Sequence, residues 1–314
     1  MDNKTGVGTA IGKIILMGEH AVVFGEPALA IPFSTAKIKT TIRKKDGPVM
    51  LDCFFYEGLL SNAPERLLGL TSLINQVIDN FNQELKNFSI SIESSIPPER
   101  GMGSSAAMAV ATIRALYNYF EQPLVNDELL KLTNVSEKIV HGNPSGLDAA
   151  ITSGETTLYY IKDRPFVPFT FNLDAYLIVA DTGELGQTKA AVASVRKLIE
   201  ANPEKGELLI KKLGTLTDSA KTSIEINDAK ELGQIMSKAH GLLDKLGVSN
   251  ELLNQLVDLA LNNGALGAKL TGGGRGGCMI ALAKTEEQAK IISNKLLSNG
   301  AKNTWISNMG VDLM

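Results

Sequence analysis

A glycine-rich loop between a strand and a buried helix is the sequence feature that most restricts the fold. Residues 88–96 alternate apolar and polar side chains, which predicts a half-buried strand. Residues 105–120 repeat apolar side chains at helical spacing with Arg114 as the one charge, which predicts a mostly buried helix. The connection is PPERGMGSS, with Gly101 and Gly103. Bare backbone at a helix N-terminus can bind an anion, most often phosphate, because unpaired N–H groups lie there.

Three interpretations of this loop stay open from the residues alone. It can be a plain turn with a serine N-cap. It can be a phosphate loop in which Ser104 and Ser105 hold phosphate oxygens or Mg²⁺. Residues 101–106 also fit a loose dinucleotide pattern, but the intervening PPER and the missing acid at the end of a following strand weaken that interpretation. A Walker A loop is excluded, since Gly12-Lys13 is followed by Ile14.

Periodicity elsewhere predicts an α+β protein in two domains, residues 1–183 and residues 184–314. Strands are predicted at 9–17, 36–44, 176–182, 265–271, 278–284 and 303–311. Helices are predicted at 65–85, 127–141 and 285–298, with three or four more within 188–263. The helix at 127–141 is predicted to begin with Asn126 as N-cap and to end at Gly142.

A second glycine cluster occupies residues 272–277 and holds five glycines and Arg275. It connects two predicted strands, where a simple hairpin needs about two residues. The additional glycines indicate one of two structures. The backbone of this segment lies against a ligand or another domain, or the segment is a loose hairpin loop. Arg275 is either a phosphate contact or an ordinary solvated side chain.

Charged residues in apolar surroundings form the third signal. Lys13 lies in a β-branched run, where a lysine snorkels to solvent, pairs or acts chemically. Glu19 and His20 end the same strand. Taken alone, Glu137 is typical of a charged side chain on the solvent-exposed face of a helix. Asp148, taken alone, is typical of an acidic residue in the first turn of a helix, where the helix dipole favours negative charge. Together with the serine-bearing loop, Lys13, Glu137 and Asp148 are the parts that Mg²⁺-ATP phosphoryl transfer requires.

Composition narrows the function classes. Among 314 residues, 31 Lys and Arg oppose 34 Asp and Glu, a net charge of −3, so no whole-chain charge favours nucleic acid or anionic lipid. Two cysteines exclude a disulfide framework and favour a reducing compartment. No apolar run reaches the roughly 18 residues that span a membrane. We therefore expect a cytoplasmic protein with a small-molecule substrate and no nucleic-acid or membrane partner.

Four segments resemble motifs of the GHMP kinase family. They are residues 12–32 (GKIILMGEHAVVFGEPALAIP), 97–107 (PPERGMGSSAA), 137–151 (EKIVHGNPSGLDAAI) and 269–282 (KLTGGGRGGCMIAL). They occur in the order of the family and cover both halves of the chain. The wording GEHAVV and HGNPSG is similar to that of the members that phosphorylate mevalonate rather than galactose or homoserine.

The resemblance implies a fold and a reaction. The first domain would be like ribosomal protein S5 domain 2 and the second ferredoxin-like, with the active site in the cleft between them. The reaction would be the ATP-dependent phosphorylation of the 5-hydroxyl of mevalonate, with Mg²⁺, by a monomer or a homodimer. Alternatives are a kinase of phosphomevalonate, galactose or homoserine on the same scaffold, and a nucleotide-binding regulator without catalysis.

Residue roles follow from the same resemblance. Asp148 would take the proton of the hydroxyl, while Lys13 would lower the pKa of that hydroxyl, keep Asp148 ionised and stabilise the transferring phosphoryl group. Mg²⁺ would be bound by Glu137 and one loop serine, Ser105 in preference to Ser104. The side chains that would place substrate or ATP are Glu19, His20 and Thr188. The ATP phosphates would be lined by Gly101, Gly103, Ser104, Ser105, Gly272, Gly273 and Gly274.

Two positions depart from the family pattern. Met102 replaces the usual Leu, a change that keeps apolar volume. Arg275 stands where many members have Gly, so it adds a possible contact to phosphate or to an inhibitor.

Overall fold

The structure is a computed structural model that describes residues 4–142, 144–154, 156–171 and 173–310. Contacts within the chain divide it into two units. Unit 1 holds the described residues of 1–12, 36–98 and 103–154, and unit 2 holds those of 13–35, 99–102 and 155–314. The two units therefore interleave along the chain, and the first two strands run from one unit into the other.

Unit 1 is a sheet with a layer of helices. In chain order its elements are the larger parts of β1 (Thr5–Met17) and β2 (Ala28–Pro48), then β3 (Met50–Cys53), β4 (Tyr56–Leu59), α1 (Leu68–Asn80), β5 (Lys86–Ser94), α2 (Ser104–Tyr119), α3 (Asn126–His141) and α4 (Leu147–Ser153). The strand order is β4-β3-β5-β2, and β1 also pairs with β2. Helix α2 packs against α1, α3 and α4, and 11 of its 16 residues are buried, which confirms the predicted buried helix.

Unit 2 is built on a four-stranded antiparallel sheet. Its elements are β6 (Leu158–Tyr160), β7 (Val167–Pro168), β8 (Tyr176–Asp181), α5 (Thr188–Ala201), α6 (Pro203–Glu225), α7 (Ala229–Lys245), α8 (Glu251–Asn262), β9 (Gly267–Thr271), β10 (Cys278–Ala283), α9 (Glu286–Ser298) and β11 (Asn303–Asn308). The strand order is β11-β8-β10-β9. Every residue of β9 and β10 is buried, since α7, α8 and α9 pack on these strands. Strand β6 pairs with the first residues of β2 and with β7.

Three local predictions need correction. The helix predicted at 65–85 is shorter, because a 3-10 turn precedes α1 and Asn82, with φ 51°, ends the helical path. Asn126 is not the N-cap of α3: Val125 has the extended backbone of a cap, and Asn126 is already helical and makes no capping bond. Strand β11 ends at Asn308, and residue 311 of the predicted strand lies outside the described residues.

The α+β class is confirmed, and the four helices within 188–263 agree with the prediction. A division into domains near residue 183 stays a prediction. No helix in the described ranges is both long enough and apolar enough to cross a bilayer.

Candidate active site

The N-terminus of α2 is open to an anion. Gly103 precedes the helix with a left-handed φ of 71°, and no side chain caps the first turn. Ser104 and Ser105 are the first two residues of α2, and both are half-buried. Helix-start amides without a side-chain acceptor carry about half a positive charge, which favours a phosphate there. This geometry does not fit the plain turn with a serine N-cap.

A buried carboxylate lies beside this helix start within unit 1. Ser105 Oγ donates a hydrogen bond of 2.5 Å to Glu137 Oε1. Glu137 is only 3% exposed, so the solvated helix charge is the wrong interpretation. His141, one turn further along α3, brings Nε2 to 3.7 Å from Glu137 Oε2. A hydroxyl and a carboxylate oxygen in contact are ligand types that Mg²⁺ prefers.

Asp148 is the second residue of α4, as the sequence predicts. Gly146, with φ 79°, turns the chain into this helix, and Asp148 is half-buried in its first turn. The main-chain oxygen of Asp148 accepts a bond of 2.7 Å from Thr152 Oγ1. Helix α4 packs against α2, so the helix that carries Asp148 is part of the packed layer of unit 1. Asn143 of the HGNPSG segment lies outside the described residues.

Lys13 is buried in β1, in the part of that strand that belongs to unit 2. It is 4% exposed, so the snorkelling interpretation does not fit. Its backbone N–H donates to the carbonyl oxygen of Met102 at 3.0 Å. The strand with Lys13 therefore holds the first half of the predicted phosphate loop by a main-chain bond.

The two glycine clusters meet in unit 2. Gly101 and Gly272 both have left-handed backbones, and a Cβ built on Gly272 would lie 2.9 Å from the Cα of Gly101. A Cβ on Gly273 would collide with Oγ1 of Thr188, the first residue of α5. The loop between β9 and β10 is thus not a loose hairpin. It is packed backbone against Gly101 and the start of α5.

His20 is bound to the same loop. Its Nε2 lies 3.0 Å from the carbonyl oxygen of Gly273, so this nitrogen carries the hydrogen. Burial lowers the pKa of His20 to about 4, with further lowering by the charges of Arg275 and Lys269. The ring is therefore neutral at pH 7. Within the described residues, Nδ1 is buried without a hydrogen-bond partner.

Glu19 forms a fully buried ion pair with Lys269 in unit 2. Burial raises the pKa of Glu19 and lowers that of Lys269, and in each case the charge of the partner opposes the shift. Glu19, which the resemblance assigns to ligand placement, is thus held in the protein interior by a residue that the sequence analysis did not single out. The sequence feature that could have indicated Lys269 is a lysine within a predicted apolar strand, which is the same feature that singles out Lys13.

Arg100 is a second residue that the sequence analysis missed. Its Nε donates to Asp181 Oδ1 at 2.8 Å, and its Nη2 donates to the carbonyl oxygen of Gly183 at 2.7 Å. These bonds fasten the residue before Gly101 to the end of β8. Only its place inside the loop motif could have indicated such a role.

Arg275 is not a solvated side chain. Its Nε donates to the carbonyl oxygen of Gly247 at 3.0 Å, and its Nη2 donates to Ser194 Oγ at 2.8 Å. Its backbone is left-handed, with φ 55°, at a position where glycine is favoured. Arg275 therefore connects the glycine loop to α5 and to the turn that follows α7.

Two family models match the chain. The GHMP kinases N terminal domain matches residues 72–155, and the GHMP kinases C terminal model matches residues 220–302. Together these ranges cover more than half of the chain. The chain therefore belongs to the GHMP kinase family, which confirms the class of two-domain α+β kinase that the motifs predict.

Within this family, the relatives and solved structures that match the chain include several mevalonate kinases. Mevalonate kinase of Pyrococcus horikoshii is 36% identical, over 96% of this chain and 96% of that protein. Mevalonate kinase of Aeropyrum pernix is 33% identical over 89% of each chain. The crystal structure of L. major mevalonate kinase in complex with R-mevalonate has a TM-score of 0.85 and 28% identity, and the match covers 97% of this chain and 95% of that chain.

Proposed function

We propose that this chain uses ATP to phosphorylate the 5-hydroxyl of mevalonate, giving 5-phosphomevalonate and ADP. The observation that carries the proposal is the contact of Ser105 with Glu137 beside the uncapped start of α2. An anion-binding helix start next to a buried carboxylate suits a nucleoside triphosphate and its metal. The substrate is supported by the similarity to mevalonate kinases over nearly the whole chain.

The reaction needs one proton acceptor and charge stabilisation. Asp148 accepts the proton of the hydroxyl while the hydroxyl oxygen attacks the γ-phosphorus and the bond to the bridging oxygen of ADP breaks. Lys13 contributes positive charge to the transferring phosphoryl group. The backbone of Gly101, Gly103 and residues 272–274 lines the phosphates, and Glu19, His20 and Thr188 place the ligands.

Mg²⁺ fits the oxygen donors of unit 1. Glu137 and Ser105 would hold it, with Ser104 as the alternative hydroxyl, and ATP phosphates and water would complete the coordination. Bound there, the ion would neutralise phosphate charge. The described residues contain no cluster of three or more His, Cys, Asp or Glu that could hold a metal.

The metal assignment predicts a higher Mg²⁺ requirement for Glu137→Gln. The amide keeps the shape but loses the charge, so half-maximal activity should need roughly tenfold more Mg²⁺. The measurement is a Mg²⁺ titration of ADP release. Glu225→Gln, on the exposed surface of α6, is the matched control. An unchanged titration curve for Glu137→Gln would contradict the assignment.

A coupled ADP-release assay tests the function itself. It compares mevalonate, phosphomevalonate, galactose and homoserine as acceptors, each with and without Mg²⁺. We expect Mg²⁺-dependent ADP release with mevalonate. Turnover of another of these alcohols instead would assign a different member of the family, and no ADP with any of them would favour a regulator without catalysis.

A further inference from the structure

Lys269 is a fully buried lysine to which the proposed reaction assigns no role. It lies in the middle of β9, where all five residues are buried, and its own exposure is 0%. Its Nζ contacts Oε1 of Glu19 and donates to the carbonyl oxygen of Leu270 at 2.7 Å. The ammonium group therefore has a carboxylate and a main-chain acceptor inside unit 2.

Stability alone does not explain this pair. Removing two charges from water is costly, and apolar side chains of similar volume are often as stable in such a place. Breaking such a pair is nevertheless harmful, because one charge stays buried without compensation. What the pair does supply is a fixed distance between two segments that are 250 residues apart in the chain.

The first of these segments is the end of β1 with the turn that follows it, and the second is β9, which leads directly into the glycine loop. Three contacts join the two segments, and they come from alternate residues of β9 and of the chain that follows it. Lys269 pairs with Glu19, and Thr271 Oγ1 donates to the carbonyl oxygen of Ile15 at 2.8 Å. The third contact is the hydrogen bond of His20 to the carbonyl oxygen of Gly273. Glu19 sits between Gly18 and His20, whose φ values of 94° and 60° are both left-handed. Such backbone persists only where surrounding contacts hold it.

We propose that Lys269 is a positioning residue for phosphoryl transfer: by holding Glu19 it fixes His20 and the glycine loop at residues 272–274 relative to each other. The expected effect of Lys269 on kcat rests on the proposed function. The structural part, a turn fixed by Lys269, stands on the contacts within unit 2. Misplacing a binding group by about an ångström can cost about 100-fold in rate, so such a residue is expected to affect kcat.

The decisive comparison is Glu19→Gln against the double variant Lys269→Met/Glu19→Gln. Both lack the carboxylate, so any direct contact of Glu19 with a ligand is lost equally in both. Glutamine can still accept a hydrogen bond from Lys269, whereas methionine donates none. We expect kcat of the double variant to be at least about tenfold below that of Glu19→Gln, with KM for ATP and for mevalonate changed less than about threefold.

A spectroscopic readout tests the anchor without turnover. Nitrogen shifts of the imidazole ring report which nitrogen of His20 carries the hydrogen. In Glu19→Gln we expect the Nε2–H tautomer that the Gly273 carbonyl selects, and in the double variant a mixture of tautomers. If the double variant does not fold, Lys269→Leu/Glu19→Gln takes its place, since leucine likewise removes the donor while residue 19 stays glutamine in both proteins.

Two results would each overturn the proposal: kcat of the double variant within about threefold of that of Glu19→Gln, or an unchanged His20 tautomer. Lys290→Met is the control, since Lys290 pairs with Glu286 on the exposed face of α9 and its loss should leave kcat unchanged. If the unaltered chain releases no ADP with mevalonate, the proposed function fails, and the tautomer still decides whether Lys269 fixes the turn.

Discussion

At the scale of single residues, burial gives the charged groups of this chain their chemical character. Glu137 is 3% exposed and receives a hydrogen bond from Ser105, which keeps a carboxylate and a hydroxyl together at a helix start. His20 is neutral at pH 7 because burial opposes its protonation. Charges and hydrogen-bonding groups that are shielded from water interact strongly, so single substitutions among them should have large and distinguishable effects.

Asp148→Asn tests the assigned base. The amide cannot take up the hydroxyl proton, so we expect kcat to fall by about 10²- to 10⁴-fold while Kd for ATP changes little. Steady-state ADP release and nucleotide titration measure the two quantities. Asp127→Asn is a matched control, since Asp127 is also an acidic residue in a first helical turn of unit 1. Near-native turnover of Asp148→Asn would show that another group is the base.

His20 predicts a pH dependence of stability. Its pKa is about 4 in the folded chain, below the 6.5 of a solvent-exposed histidine, so the unfolded chain takes up the proton first as pH falls. The stabilisation is present above about pH 6.5 and is lost toward pH 4, by up to about 3 kcal/mol. His20→Asn lacks this titration, because an amide does not take up a proton in this pH range.

Urea unfolding of both proteins at pH 7 and pH 4.5 measures the effect. We expect the stability of the unaltered chain relative to His20→Asn to decrease at the lower pH. His240, whose pKa burial also lowers, is present in both proteins and cancels in the difference. A difference that does not change with pH would contradict a buried neutral His20.

At the scale of elements, the loop between β9 and β10 is an anchored part of unit 2. Gly273 lies against Thr188 at the start of α5, Gly272 lies against Gly101, and Arg275 bonds to Gly247 and Ser194. Gly273 is buried, and Thr188 leaves no space for a Cβ atom at this position. The loop is therefore expected to respond to added volume as a packed core does.

Gly273→Ala should weaken both stability and ligand binding. The new methyl group collides with Oγ1 of Thr188, and overpacking of this kind costs about 1–3 kcal/mol. We expect a lower unfolding midpoint and a higher KM for ATP. In Gly241→Ala the added Cβ in α7 meets no atom within 4 Å, so that control should be neutral or more stable by about 1 kcal/mol. Equal midpoints for the two variants would argue against the packed loop.

At the scale of the whole molecule, unit 2 assembles segments that are far apart in the chain. Strand β8 lies between β11 and β10, with Asp181 opposite Cys278 on one side and Asn303 on the other. The chain must therefore bring residues 176–181 to residues 278–308 before this sheet is complete. A C-terminal fragment that begins after β8 lacks one strand of this sheet, whereas a fragment that begins before β8 keeps all four strands.

Two fragments locate the boundary near residue 183. Residues 184–314 lack β8, which leaves β10 and β11 without the strand that joins them, so we expect no cooperative unfolding. Residues 174–314 retain β8 and should have more sheet signal by circular dichroism and more protected amides. Cooperative unfolding of the shorter fragment would mean that β8 is dispensable.

Much of the fold follows from local patterns. The period-two run at 88–96 predicts β5 to within two residues at each end, and the apolar spacing at 105–120 predicts α2 to within one, because one buried face imposes a repeat on the sequence. The ends of α1 and the cap of α3 could not be predicted as well. They depend on single backbone conformations at Asn82 and Val125, which carry little compositional signal.

The sequence by itself determined the family and most of the longer strands and helices, and it predicts a set of site residues whose motifs are contiguous. Only the tertiary structure decided which charges meet inside the protein. Glu19 and Lys269 are 250 positions apart, and Arg100 and Asp181 are 81 apart. Periodicity reports the face of an element that is buried, but the partner of a buried charge depends on how distant segments pack. The reason is that an ion pair forms between neighbours in space, whatever their separation along the chain.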